Sequence, residues 1–260
     1  FAFMPGSVLG SVAALADPEY THRYFVDGPM HETDVYDPVN GKWHNLVQGT
    51  GGAGGKYLYA LNMPVDPSAT SALSTADSTP GADDFLWELS NQVSGFEELG
   101  HVLAKPETGV TPSGQWVTIF GNGYYSSNGT AQLYIVDALT GALIKTIDTL
   151  AGPNNGLGGV GVVRDKDLRI VAAYAGDLKG NLWKFDLSST SQGDWGIAFG
   201  GEPLFVARND SDQREPITAK PAFRAFPTGG VMVLFGTGQL FEEGDITDIS
   251  ARTLYGIWDR

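Results

Sequence analysis

Between Ile170 and Leu187 an apolar run reaches a tight turn around Gly176 to Gly180. It then alternates, with Leu182, Lys184 and Asp186 on one side and Trp183, Phe185 and Leu187 on the other. An apolar run, a glycine-closed turn and period-two alternation predict a β-hairpin. The pattern recurs. Val117 to Gly123 leads to Leu133 to Asp137, and Val233 to Gly238 leads to Leu254 to Asp259; a weaker copy sets Leu46 to Gly49 against Leu58 to Asn62.

A unit returning every roughly 50–75 residues, each a small antiparallel sheet that cannot bury both faces alone, predicts stacked blades. The fold class expected is therefore all-β, a partial β-propeller of four-stranded antiparallel blades, with residues 1–260 forming a single domain. Four blades are expected, one incomplete at each end, as a fragment of a longer parent whose ring is seven-bladed. The first blade is read from a strand over Tyr20 to Pro29, then Glu32 to Tyr36 and Lys42 to Val47. The second takes Val102 to Ala104, Trp116 to Gly121, Ala131 to Asp137 and Leu143 to Ile147. The third takes Gly159 to Val163, Ile170 to Ala175, Asn181 to Leu187 and Pro203 to Ala207, and the fourth Ala219 to Phe223, Val231 to Phe235 and Thr253 to Trp258. Ser7 to Ala16 is the one short helix expected, ended by Pro18 and capping an edge. Pro64 to Asp83, rich in Ser, Thr, Ala, Pro and Gly, reads as a long surface excursion.

Composition agrees with many short strands and turns: 35 glycines, 14 prolines and only 18% charged residues. There is no cysteine, which removes disulfides, thiolate metal sites and cysteine nucleophiles. Sixteen basic residues against thirty acidic ones give a net charge of −14, a surface that repels nucleic acid and anionic membrane. No apolar run reaches the length of a membrane-spanning helix. Phe1 to Pro5 is apolar strand material without the basic flank of a signal peptide, so the chain reads as cut from something longer.

Several segments in one order carry a family resemblance. They are His22 to Gly28, Gly51 to Leu61, Phe120 to Tyr124, Tyr174 to Asp177 with Gly180 to Asp186, and Leu234 to Gly238 with Tyr255 to Asp259. Together they resemble the C-terminal propeller of the PilY/PilC family of type IV pilus proteins. The resemblance implies a non-enzymatic, exported protein of the periplasm, outer membrane, cell surface or pilus tip. Its implied work is pilus assembly against retraction, adhesion and twitching motility, with pilus components such as minor pilins and host-surface receptors as partners. The alternative is a quinoprotein dehydrogenase-like propeller holding pyrroloquinoline quinone, because Leu133 to Ile144 looks like the repeat of those enzymes. Their docking tryptophan is absent, Ile144 and Lys145 standing in its place.

Candidate chemistry is sparse. His22, His31, His44 and His101 lack the spacing of a zinc site on a helix, and no Gly-x-Ser-x-Gly elbow is present. Gly49 to Lys56 offers glycines before a lysine, but Tyr57 follows where a phosphate loop needs Ser or Thr and a helix, so a turn between strands is expected. The acidic loops Asp210 to Asp212 and Glu242 to Asp245 read as solvated charge. The resemblance also implies a calcium loop just before Tyr174-Ala175-Gly176-Asp177. Here that place reads Val163-Arg164-Asp165-Lys166-Asp167-Leu168-Arg169, leaving Asp165 and Asp167 as the only candidate metal ligands among three cations. The expectation is a degenerate calcium site, reduced to a turn, with no confident cofactor and no catalytic residue.

Overall fold

The computed structural model describes residues 2–63 and 81–260. Four antiparallel sheets follow one another along the chain, each built on an up-and-down meander of sequence neighbours. The first comprises β1 (Met30–Asp37), β2 (Lys42–Thr50), β3 (Tyr57–Met63) and β4 (Phe85–Ser90). The second comprises β5 (Glu107–Val110), β6 (Trp116–Gly121), β7 (Gln132–Asp137) and β8 (Leu143–Asp148). In the third, β9 (Leu157–Arg164), β10 (Ile170–Asp177) and β11 (Asn181–Asp186) end on two short edge pieces, β12 (Gly196–Ile197) and β13 (Phe205–Val206), both paired with β11. The fourth has three strands, β14 (Ala222–Ala225), β15 (Val231–Gly236) and β16 (Leu254–Asp259). The chain is an all-β partial propeller, and its sheets do not close into a ring.

Strand alternation explains the stacking, because side chains at i and i+2 point to the same face of a sheet. On β7, Tyr134 and Val136 enter a core shared with Leu58, Ala60, Trp87 and Leu89 of the first sheet. Leu133 and Ile135 turn the other way and meet Val160, Ala173, Trp183 and Phe185 of the third. The third and fourth sheets share Ala172, Tyr174, Leu182, Val233 and Phe235. Each interior strand thus serves two cores, which is why these strands read as nearly continuous apolar runs.

Two sets of polar groups between sheets are paired across them. Gln48 Nε2 donates to Thr118 Oγ1 at 2.7 Å and Gln48 Oε1 accepts from Thr108 Oγ1 at 2.8 Å, joining the first and second sheets. Lys184 Nζ lies 2.6 Å from Asp259 Oδ2, which also accepts from the Tyr174 hydroxyl, joining the third and fourth. Burial, then that carboxylate, raises the Tyr174 hydroxyl above the usual phenol range.

Three expectations about the sheets need correction. Tyr20 to Pro29 is not a strand; it runs as irregular chain over the first sheet, where Phe25 packs beside Tyr57 and Tyr59, and Phe25 O accepts from the Tyr57 hydroxyl at 2.8 Å. The first strand of the second sheet is Glu107–Val110 rather than Val102 to Ala104. Val102 is apolar because it plugs the core between the first two sheets, not because it belongs to a ladder. The first sheet is complete with four strands, so only the last is short of one.

The expected helix is α1 (Gly6–Val12), continued by a turn of 3-10 helix to Ala16. It covers a face rather than an edge, with Val8 packed on Tyr57, Tyr59 and Leu61. The surface excursion expected over Pro64 to Asp83 lies, as far as residue 80, outside the described residues; Ala82–Asp84 form one 3-10 turn leading into β4.

Candidate functional site

Each central hairpin turns on one repeated pair of positions. Gly121 closes β6 and Gly176 is the next-to-last residue of β10, each followed by a buried polar residue. A Cβ on Gly121 would stand 2.5 Å from Gly158 O, and one on Gly176 would stand 2.2 Å from Ile217 Cγ2, so only glycine lets the following blade approach. The polar residue after it locks the turn. Asn122 donates to Glu98 O and Thr130 O at 2.9 Å and accepts from the Gln132 and Leu157 amides at 3.0 and 3.1 Å. Asp177, fully buried, accepts at Oδ2 from Asn155 Nδ2, Asn181 Nδ2 and Trp183 Nε1, and at Oδ1 from the Lys179 and Asn181 amides, all between 2.8 and 3.0 Å. This carboxylate is a structural pin, since donors already occupy both oxygens. Its sequence signal was Asn and Trp four and six residues downstream of the Asp.

The candidate metal loop is a tight turn between β9 and β10. Asp165 Oδ1 accepts from the Asp167 and Arg169 amides at 2.9 Å, the Asp165 amide donates back to Arg169 O, and Leu168 takes a left-handed φ of 62°. Lys166 Nζ sits 2.9 Å from Asp167 Oδ1. A calcium ion needs about six to eight oxygens at short range. Here one carboxylate oxygen is spent on backbone amides and the other carboxylate carries a lysine, so these residues do not fit a calcium ion. Among the described residues no group of three or more His, Asp or Glu has metal-holding geometry.

The four histidines do not converge. His22 stacks edge-on to Tyr24, His44 Nδ1 meets Asn62 Oδ1 at 3.2 Å, and His101 Nδ1 meets Gly52 O at 2.8 Å. His31 lies toward the leading strands of the sheets, where burial holds its imidazole below the usual range against the opposing pull of Glu107. Glu107 is the hub of that region: Lys220 Nζ pairs with it and Arg164 Nη2 lies 3.9 Å away while donating to Thr108 O at 3.0 Å. This cluster ties strands together. The glycine run after Gly49 is a turn between β2 and β3, as expected, and Lys56 Nζ reaches out of it to Tyr125 O.

A concavity lies at the loop ends of the second, third and fourth sheets. Tyr124 and Phe241 stack at 4.6 Å with their planes 20° apart, and cavities of about 340 and 440 Å³ both border this pair. The larger is lined by Tyr125, Asn128, Asn154 and Gln239 besides the stacked rings. Tyr125 is 51% exposed with a left-handed φ of 60°, and its hydroxyl donates to Glu242 Oε1. Burial, then that carboxylate, pushes the hydroxyl up to about 12. Asp245 builds the opposite wall by accepting from the Phe241 and Glu242 amides and from Gln239 Nε2, each at 2.9 Å. Glu242 to Asp245 is thus an organising loop rather than loose charge. The sequence could not bring the walls together, since Tyr125 and Glu242 are 117 residues apart.

Residues 6–260 match the family of the PilY1 beta-propeller domain. The chain belongs to that family. A Type IV pilus biogenesis factor PilY1 homolog of Xylella fastidiosa is 37% identical over 276 residues, and a Type IV pilus biogenesis factor PilY1 of Pseudomonas aeruginosa is 35% identical over 289. Both matches cover 100% of this chain but only 18% and 23% of those proteins, so the chain spans about a fifth of their length. The crystal structure of the Pseudomonas aeruginosa PilY1 C-terminal domain superposes with a TM-score of 0.80 at 33% identity, covering 100% of this chain and 53% of that one. The fold described above is thus shared with that PilY1 C-terminal domain over the whole of this chain.

Proposed function

We propose that the protein acts as a non-enzymatic binding module of a type IV pilus biogenesis factor. In this reading it is exported to the periplasm, outer membrane, cell surface or pilus tip. There it supports pilus assembly against retraction, and through it adhesion and twitching motility. The observation that carries this is the match of residues 6–260 to the PilY1 propeller, together with named pilus factors as full-chain relatives. The structure is compatible with such work: Asp177 and Glu107 are engaged in holding the fold, and a loop-lined cleft lies open among the described residues. Minor pilins and host-surface receptors are the partners proposed. The quinoprotein reading is not favoured, because the full-chain relatives named above are all pilus factors. Removing the segment encoding residues 1–260 from its parent gene and counting surface pili and twitching zones tests the proposal. Loss of pili that is relieved when retraction is also disabled is the expected result; unchanged piliation and motility would overturn it.

A further inference from the structure

We infer that the cleft between Tyr125 and Phe241 is a binding site for a neutral pyranose, on a free or protein-borne glycan. The inference stands independently of the pilus reading. The cleft volume of about 440 Å³ falls within the range of roughly 300–1,000 Å³ typical of small-molecule sites. Its floor is aromatic and its rim carries several hydrogen-bond acceptors. The Asn128 side-chain amide donates to Glu98, and that of Gln239 donates to Asp245. Their carbonyl oxygens therefore remain as acceptors on the lining, alongside the Glu242 carboxylate. A ligand matched to such a rim donates many hydrogen bonds while offering an apolar face to an aromatic ring. A pyranose does both, with equatorial hydroxyls around a flat array of C–H groups.

Tyr125 is suited to be the platform. It is half exposed, its hydroxyl is anchored on Glu242, and His101 and Phe241 both meet it nearly edge-on, at 84° and 83°. A ring fixed before the ligand arrives loses little entropy on binding. Tyr125 and Asn154, both on the lining, hold left-handed φ values of 60° and 56°. Such conformations cost stability and concentrate where a side chain must be aimed. Charge narrows the ligand further. Glu242 beside the ring, on a chain of net charge −14, disfavours sialic and uronic acids. A cationic side chain is less well matched, because cation recognition wants ring faces gathered around one point, and here Tyr124 and Phe241 spend faces on each other.

The test is saturation-transfer NMR on the 260-residue protein with methyl β-galactoside, methyl α-glucoside, N-acetylglucosamine, N-acetylneuraminate and an amide-capped lysine as separate probes. A neutral sugar is expected to bind with a Kd on the order of 1 mM, and Tyr125→Gly to weaken it at least about tenfold. Glycine accepts the left-handed φ, so that variant should still melt in one cooperative transition, and Tyr125→Phe, which keeps the ring but loses its Glu242 anchor, should bind more weakly than the parent and more tightly than Tyr125→Gly. Asn154→Gly provides a second variant expected to weaken binding. Pili before and after glycan removal, and immobilised host glycans, then distinguish the two sources. Absence of transfer to every neutral sugar, stronger binding of the lysine or sialic acid probe, or neutral-sugar binding indifferent to Tyr125→Gly and Asn154→Gly would each overturn the inference. Because the readout is on purified protein, failure here leaves the pilus assay untouched.

Discussion

Asp177 carries five hydrogen bonds with no exposed surface, and that count decides what a conservative change would do. Asp177→Asn keeps the shape but turns one acceptor edge into a donor facing other donors. The expected loss is about 3 kcal/mol, seen as a lower urea midpoint with an unchanged slope. Asp165 and Asp167 differ from Asp177 in being turn residues at the surface. We propose that calcium titrated into chelator-treated protein gives no micromolar binding isotherm, because Asp165 Oδ1 serves two amides and Asp167 serves Lys166. Micromolar binding abolished by the Asp165→Ala, Asp167→Ala pair would show that the turn opens to accept the ion. Both aspartates were visible in the sequence as candidates. What the sequence did not disclose was the occupation of their oxygens, which depends on the left-handed Leu168 closing the turn.

Helix α1 illustrates how an element too short to hold itself is held by another. Seven residues are marginal as an isolated helix. Its N-terminal amides are taken up by Glu88 of β4, whose oxygens accept from the Gly6 and Ser7 amides at 2.7 Å, a placement the helix dipole also favours. Glu88→Ala should cost about 1 kcal/mol and appear as faster amide exchange confined to residues 6–16. The loop that forms the cleft wall is held by Asp245, whose carboxyl lies below the usual range chiefly because the Phe241 amide donates to it, helped by Gln239 and the Glu242 amide. A carboxylate lowered in the folded state stabilises at pH above its unfolded value, and that contribution is lost as pH falls through the folded value. Acidification below the ordinary aspartate range should therefore loosen residues 239–247 first, and the Phe241 amide resonance should report it while Asp245→Asn removes the transition.

At the scale of the molecule, the interior hairpins were legible because alternation and glycine turns are local. The leading strands were not. Glu107–Val110 is polar and short because its surroundings are the neighbouring leading strands and their charges, and nothing in Glu-Thr-Gly-Val announces a strand. The aromatic stretch Tyr20 to Pro29 misled for the opposite reason, since a side chain such as Phe25 that covers a sheet looks like one inside it. The fourth sheet adds a prediction. Val233 and Phe235 face the third sheet, so Leu234 and its neighbour Leu254, 80% exposed, lie on a face without cover. The chain should self-associate at raised concentration in sedimentation velocity, and Leu234→Asp should reduce it.

Within each sheet the described ladders join strands adjacent in sequence, save the short β11–β13 pairing, and no named strand is shared between two sheets. For inheritance this makes the loops between sheets natural points of recombination. A gene segment encoding one sheet can be duplicated or lost with every strand ladder of the other sheets intact, so that the side chains on the two newly opposed faces and a few backbone bonds such as Gly123 N to Leu157 O are what mutation must rebuild.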